Sequence, residues 1–212
     1  MKNFRNFRIH NLVSLLIAAS VSLVGCSDDD DSNDVPPVEE EVEVITDVTL
    51  VFTNIADSTD VVTATAQDPD GEGALELVIE DEITLSTSTM YTLTFEIENS
   101  LADDEDEANI GAEILEENDE HQFFFSFSEN AFTTPTGDGN IDNASDPINY
   151  EDEDDNGNPV GLETAWVTPA TALSGGNFTV RLQHQPEIKT ATTGAEDGDT
   201  DFDLTFVLNV VE

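Results

Sequence analysis

Oxygen ligands crowd one stretch of this chain: Asp152-Glu153-Asp154-Asp155-Asn156-Gly157-Asn158-Pro159-Val160-Gly161-Leu162-Glu163. The run fits D-x-[DN]-x-[DN]-G-x5-E, a pattern whose side chains wrap a calcium ion. Ca²⁺ takes six to eight oxygens, and loop positions 1, 3, 5 and 12 with one backbone carbonyl supply most of them. Asp152, Asp154 and Asn156 read as early ligands, Asn158 as the carbonyl donor and Glu163 as the bidentate closer. Gly157 permits the sharp turn. Pro159 is foreign to an EF-hand at its position, and the flanks Ile148–Tyr150 and Leu162–Trp166 alternate as strands do. The spacing therefore predicts a calcium-binding β-hairpin loop. In so acidic a chain, the other reading is a solvated acidic turn.

Other groups could hold metal. Asp138-x-Asn140-x-Asp142 and Asp197-x-Asp199-x-Asp201 match the first half of the same pattern, and Asp68-Pro69-Asp70-Gly71-Glu72-Gly73 reads as a turn. Alternation places Asp199, Asp201 and Asp203 on one strand face, where a cation would relieve their repulsion. His121 and His184, with Glu120, offer two imidazoles and a carboxylate, a set that suits Zn²⁺ or Cu²⁺. That second metal site needs the two histidine strands to be neighbours; otherwise each histidine fills a half-buried strand end. No G-x-S-x-G elbow leads from strand to helix, so a serine hydrolase is not indicated. Trp166 and Tyr150 flank the acidic loop and could face a sugar or pack in the core. Phe124 points away from Phe123 and Phe125, amid Gln122 and Ser126.

The elements that must position these groups are strands. Apolar residues recur at every second position in Val48-Leu50-Phe52, Leu75-Leu77-Ile79, Tyr91-Leu93-Phe95-Ile97, Phe123-Phe125-Phe127, Phe178-Val180-Leu182 and Phe202 through Val210. About ten short strands of this kind bury their apolar faces by stacking two antiparallel sheets. The expected fold is an all-β, immunoglobulin-like antiparallel sandwich over residues 44–212. One short helix is expected near Glu105 to Asn118, where Ile110, Ile114 and Leu115 recur at helical spacing.

Ahead of this domain the chain changes character. Lys2, Arg5 and Arg8 precede the apolar run Leu12 to Val24, which as a helix spans about 20 Å against the ~30 Å of a bilayer core. That is a signal peptide over 1–25. Leu23-Val24-Gly25-Cys26 resembles a bacterial lipobox, which implies cleavage before Cys26 and lipidation of its thiol. Residues 26–43 read as an acidic, self-repelling tether. Removal of the leader leaves Arg181 and Lys189 against all 48 acidic residues. Such a chain does not bind nucleic acid or anionic lipid through a basic patch.

Three stretches carry a family resemblance: Glu120-His121-Gln122-Phe123-Phe124-Phe125, Asn156-Gly157-Asn158-Pro159-Val160-Gly161-Leu162 and Leu182-Gln183-His184-Gln185-Pro186. In this order they resemble a family of small acidic lipoproteins from Flavobacteria and other Bacteroidota, often labelled "type 1 periplasmic binding fold superfamily protein". The acidic run after Cys26 resembles the surface-export signal of Bacteroidota lipoproteins. The resemblance implies an outer-membrane lipoprotein displayed at the cell surface, with the periplasmic face as alternative. The expected function is a non-catalytic binding or structural module, stabilised by Ca²⁺, with a polysaccharide or envelope protein as partner. The alternative is a solute-binding accessory for uptake, which needs a pocket lined by Trp166, Tyr91 or Tyr150.

Overall fold

Period-two alternation decides which way each strand faces. The computed structural model describes residues 44–68, 71 and 77–212, all within one unit. The expected signal peptide, Cys26 and the tether lie outside the described residues, as do Leu75 and part of the turn after Asp68. In chain order the elements are β1 (Asp47–Asn54), β2 (Val61–Gln67), β3 (Val78–Ile79), β4 (Ile83–Ser86) and β5 (Met90–Glu98). Then come α1 (Glu105–Ala108), α2 (Ile110–Glu116), β6 (His121–Phe127), β7 (Glu163–Val167), β8 (Leu173–His184) and β9 (Asp199–Val211).

The strands form two sheets, ordered β3-β2-β1-β5-β7 and β4-β9-β8-β6. All pairings are antiparallel except β4 with β9, which run parallel from Ile83↔Leu208 to Ser86↔Val211. In β1, Val48, Leu50 and Phe52 are fully buried while Thr49, Val51 and Thr53 take the other face. Threonine hydroxyls pair across the outer faces, Thr49 with Thr65 at 3.1 Å and Thr179 with Thr205 at 2.9 Å. Aromatic rings join the layers: Phe52 meets Phe178 edge-on at 5.8 Å, and Phe95 stacks on Phe123 at 4.5 Å. The sandwich expected from alternation is the architecture found.

Details differ. The helical segment breaks in two at Asn109, whose side chain accepts the Ala112 amide and caps α2. Ile110 and Ile114 face the core, but Leu115, one position round the helix, is exposed. Ile148–Tyr150 is not a full strand. It lies along β7 as an edge segment, through the bridge Tyr150↔Thr164 and the bond from the Ala165 amide to the Asn149 carbonyl.

That edge segment belongs to the connection 128–162, which covers one edge strand of each sheet, β7 in the first and β6 in the second. On β6, the Phe123 amide reaches the Val160 carbonyl at 2.7 Å and the Asn140 amide reaches the Phe125 carbonyl at 2.7 Å. On β7, the Val167 amide donates to Thr134 and the Glu151 amide to Glu163. Uncovered, those edges would offer unpaired amides and carbonyls to another chain. Gly139 makes the covering of β6 feasible: its φ is +105°, and a Cβ there would overlap the Phe125 carbonyl oxygen. Gly139→Ala is therefore expected to lower stability by more than about 3 kcal/mol in urea denaturation and to promote self-association. Gly157→Ala, with a similar φ but open space around it, costs about 1 kcal/mol. Equal losses for the two variants would refute the edge-covering role.

Candidate functional site

The acidic hairpin folds onto itself. Asp152 accepts the Gly161 and Leu162 amides, both at 2.8 Å, one on each carboxylate oxygen. Asp154 Oδ1 accepts the amides of Asn156 at 2.9 Å and Asn158 at 2.8 Å. The Asn158 carbonyl accepts the Asp154 amide at 2.8 Å, and Gly157 turns the chain at φ +80°. Asn156 and Glu163 are exposed. Asp152, Asp154 and Glu163 do not form one of the three-ligand groups found among the described residues, and the two aspartates are engaged by amides of their own loop.

The cation this hairpin does hold is Lys189. Its Nζ lies 3.2 Å from Asp154 Oδ2 and donates to the Asn118 carbonyl at 2.5 Å. The side chains are 1% and 0% exposed, so the pair is fully desolvated. Burial draws the Lys189 ammonium below its usual value, against the pull of Asp154, Asp152 and Asp119. Burial works to raise Asp154, but bonds from Asn158 and Lys189 outweigh it and the carboxyl ends below its usual value. Sequence reasoning counted Lys189 only in the charge balance. Its position as one of two basic residues after Arg8 was the available signal.

A second constellation assembles as its neighbour condition required. His121 and His184 are register partners on β6 and β8, with ring centroids 4.6 Å apart and planes 7° from parallel. His184 Nε2 stands 3.4 Å from Glu120 Oε2. His121 Nδ1 faces the Glu117 carbonyl at 3.2 Å, and its Nε2 lies 3.9 Å from Asp201 Oδ2. Burial draws the His121 imidazole down to about 4, with His184 and Lys189 adding to the effect and the Glu117 bond opposing it. Burial pushes Asp201 up to about 7, opposed by His184 and aided by Asp199.

Asp199, Asp201 and Asp203 do not share a face. The register slips between Leu182↔Phe202 and Gln183↔Thr200, leaving Asp201 without a partner residue, and this bulge re-aims it. Asp203 instead binds Arg181, whose Nη2 lies 2.6 Å away and whose Nη1 reaches Glu196 at 2.9 Å. Among the described residues, two groups bring three ligand atoms within 4.8 Å of one another: Glu117–His121–His184 and Asp138–Asp142–Asp146.

The aromatics are core. Trp166 is fully buried against Phe125, Phe127, Phe132 and Phe178, with its Nε1 donating to Thr164 Oγ1 at 2.8 Å. Tyr91 and Phe124 are also fully buried. Phe124 is buried although it lies on the outer face, where the Arg181 and Gln183 side chains tie the Ala195 carbonyl over the sheet. A sugar platform or pocket lining built from Trp166 and Tyr91 is thereby excluded. Tyr150 donates to the Phe123 carbonyl at 2.6 Å and accepts from Asn140. No family model, curated protein or solved structure matches this chain.

Two outcomes follow from these contacts. Lys189→Met leaves the buried Asp154 carboxylate without its cation, held only by amide groups of Asn156 and Asn158, and should cost about 2–4 kcal/mol in urea denaturation. The double variant with Asp154→Asn should lose less than the two single losses combined, and strict additivity would contradict the pairing. Burial pushes the Tyr150 phenol up to about 12, with Asp152 acting in the same direction and bonds to Gln122 and Asn140 opposing it. A folded pKa above the unfolded value of about 10 means stability complete below pH ~10 and lost as pH climbs towards 12. The stability gap between wild type and Tyr150→Phe should hold near pH ~8 and shrink above pH ~10. A constant gap would show the phenol to be unperturbed.

Proposed function

We propose that this chain is an envelope lipoprotein, anchored through Cys26, whose sandwich acts as a non-catalytic binding or structural module. The acidic tether holds the domain off the outer membrane, facing outward, in keeping with the resemblance to Bacteroidota lipoproteins. The observation that carries the reading is how the domain uses its cations. Arg181 is held by Asp203 and Glu196, and Lys189 by Asp154, so both basic side chains beyond the leader are engaged internally. The charge left for partners is negative, and concentrated negative charge destabilises a compact state while attracting cations. Such a surface engages calcium, a basic face of an envelope protein, or an acidic polysaccharide bridged by divalent cations. Calcium acts here by relieving surface repulsion, which does not require the 152–163 hairpin to open.

Two measurements test this. The melting temperature of the intact protein should rise from EDTA to millimolar CaCl₂ at equal ionic strength, and an unchanged midpoint would end the cation reading. Cys26→Ser should shift the protein from the membrane to the soluble fraction. Retention of that variant in the membrane would end the anchor reading.

A further inference from the structure

The histidine pair carries more than a strand-end packing role. Asp201 Oδ2 is buried and has no hydrogen-bond partner. It faces His121 Nε2 across 3.9 Å, too far for a hydrogen bond. The Glu117 carbonyl accepts from His121 Nδ1, so the ring proton sits there and Nε2 presents its lone pair to the same space. Two acceptor atoms then face each other with nothing positive between them. A buried acceptor left without a donor points to an ion or water that belongs there.

The dimensions fit an ion. Zinc binds histidine nitrogen at about 2.0–2.1 Å and carboxylate oxygen at about 2.0–2.2 Å, so two such ligands stand at most about 4.3 Å apart. The observed 3.9 Å lies inside that limit. His184 and the exposed Glu117 carboxylate join His121 in a group whose three ligand atoms lie within 4.8 Å of one another, and Asp201 adjoins that group through His121. Each ring already has an outer partner on one nitrogen, the Glu117 carbonyl for His121 and the Glu120 carboxylate for His184. Partners of this kind orient histidines that bind metal through the other nitrogen. His184 retains 22% side-chain exposure, so its ring can rotate about χ2 from the parallel stack and admit an ion from solvent.

We propose that His121 and His184, with carboxylate oxygens from Glu117 and Asp201, bind one first-row transition ion of the zinc class, with Glu120 orienting His184. Imidazole ligands favour such ions over Ca²⁺ and Mg²⁺, which separates this site from the general anionic surface. The proposal does not depend on the lipoprotein reading. To test it, the intact protein is stripped with EDTA, placed in excess CaCl₂ to occupy surface carboxylates, and titrated with Co²⁺ and then Zn²⁺. The expected result is a visible Co²⁺ absorption that saturates at one equivalent and is displaced by Zn²⁺ but not by further Ca²⁺. His184→Gln should weaken Co²⁺ binding more than tenfold, and Glu120→Gln by about 10–100-fold. Because His121 lies in the core, its replacement is not used. NMR of the histidine rings should show Co²⁺ broadening the resonances of His121 and His184. Binding that never saturates, that Ca²⁺ displaces, or that leaves both ring signals untouched would overturn the proposal, as would wild-type affinity in a folded His184→Gln variant.

Discussion

Carboxylates far outnumber Arg181 and Lys189, the two basic side chains of the described domain, so most must be satisfied by something other than a lysine or arginine. This constraint shapes the domain. Asp152 takes backbone amides, Asp154 takes amides and Lys189, and Asp203 takes Arg181. Exposed acids do the same on a smaller scale: Asp57 accepts from Thr59, and Asn143 and Asp146 close a turn together. Asp201 shows what the constraint can leave open, since its buried Oδ2 has no donor and a His121 ring nitrogen stands 3.9 Å away. The acidic surface and the unusual carboxylate by the histidines thus have one origin: too few internal cations for the acids present.

Much of the fold was legible because burial in a sandwich writes itself as alternation. Val48, Leu50 and Phe52, or Phe202 through Val210, announce both the strand and the face it buries. The helix was legible in place but not in form, because a single asparagine suffices to restart it. Edge protection was not legible. Most of the bonds from 133–134, 138–140, 149–151 and 160 to β6 and β7 are made by backbone groups, whose partners leave no mark on residue type.

The sites divide for similar reasons. A pattern of acids specifies oxygens without specifying what those oxygens meet, and in the hairpin they meet amides at short range. Lys189 is 35 positions from Asp154 and carries no motif, so only the fold could join them. The histidines were recognisable as a pair on condition that their strands be neighbours, and the β6–β8 register meets it. Asp201 escaped the reading because a bulge interrupts the strict period on which strand-face reasoning relies.

The parallel pairing of β4 with β9 has a kinetic consequence. Ile83–Ser86 finds its partner in Leu208–Val211, so the second sheet cannot close until segments far apart along the chain have met. Topologies built on such distant pairings form slowly, because loop entropy is lost before any contact compensates. During that interval, phenylalanine-rich strands such as His121–Phe127 stand open to other molecules. The mutual repulsion of strongly anionic chains keeps those molecules apart while each one closes. Charge that weakens the finished domain therefore protects the unfinished one.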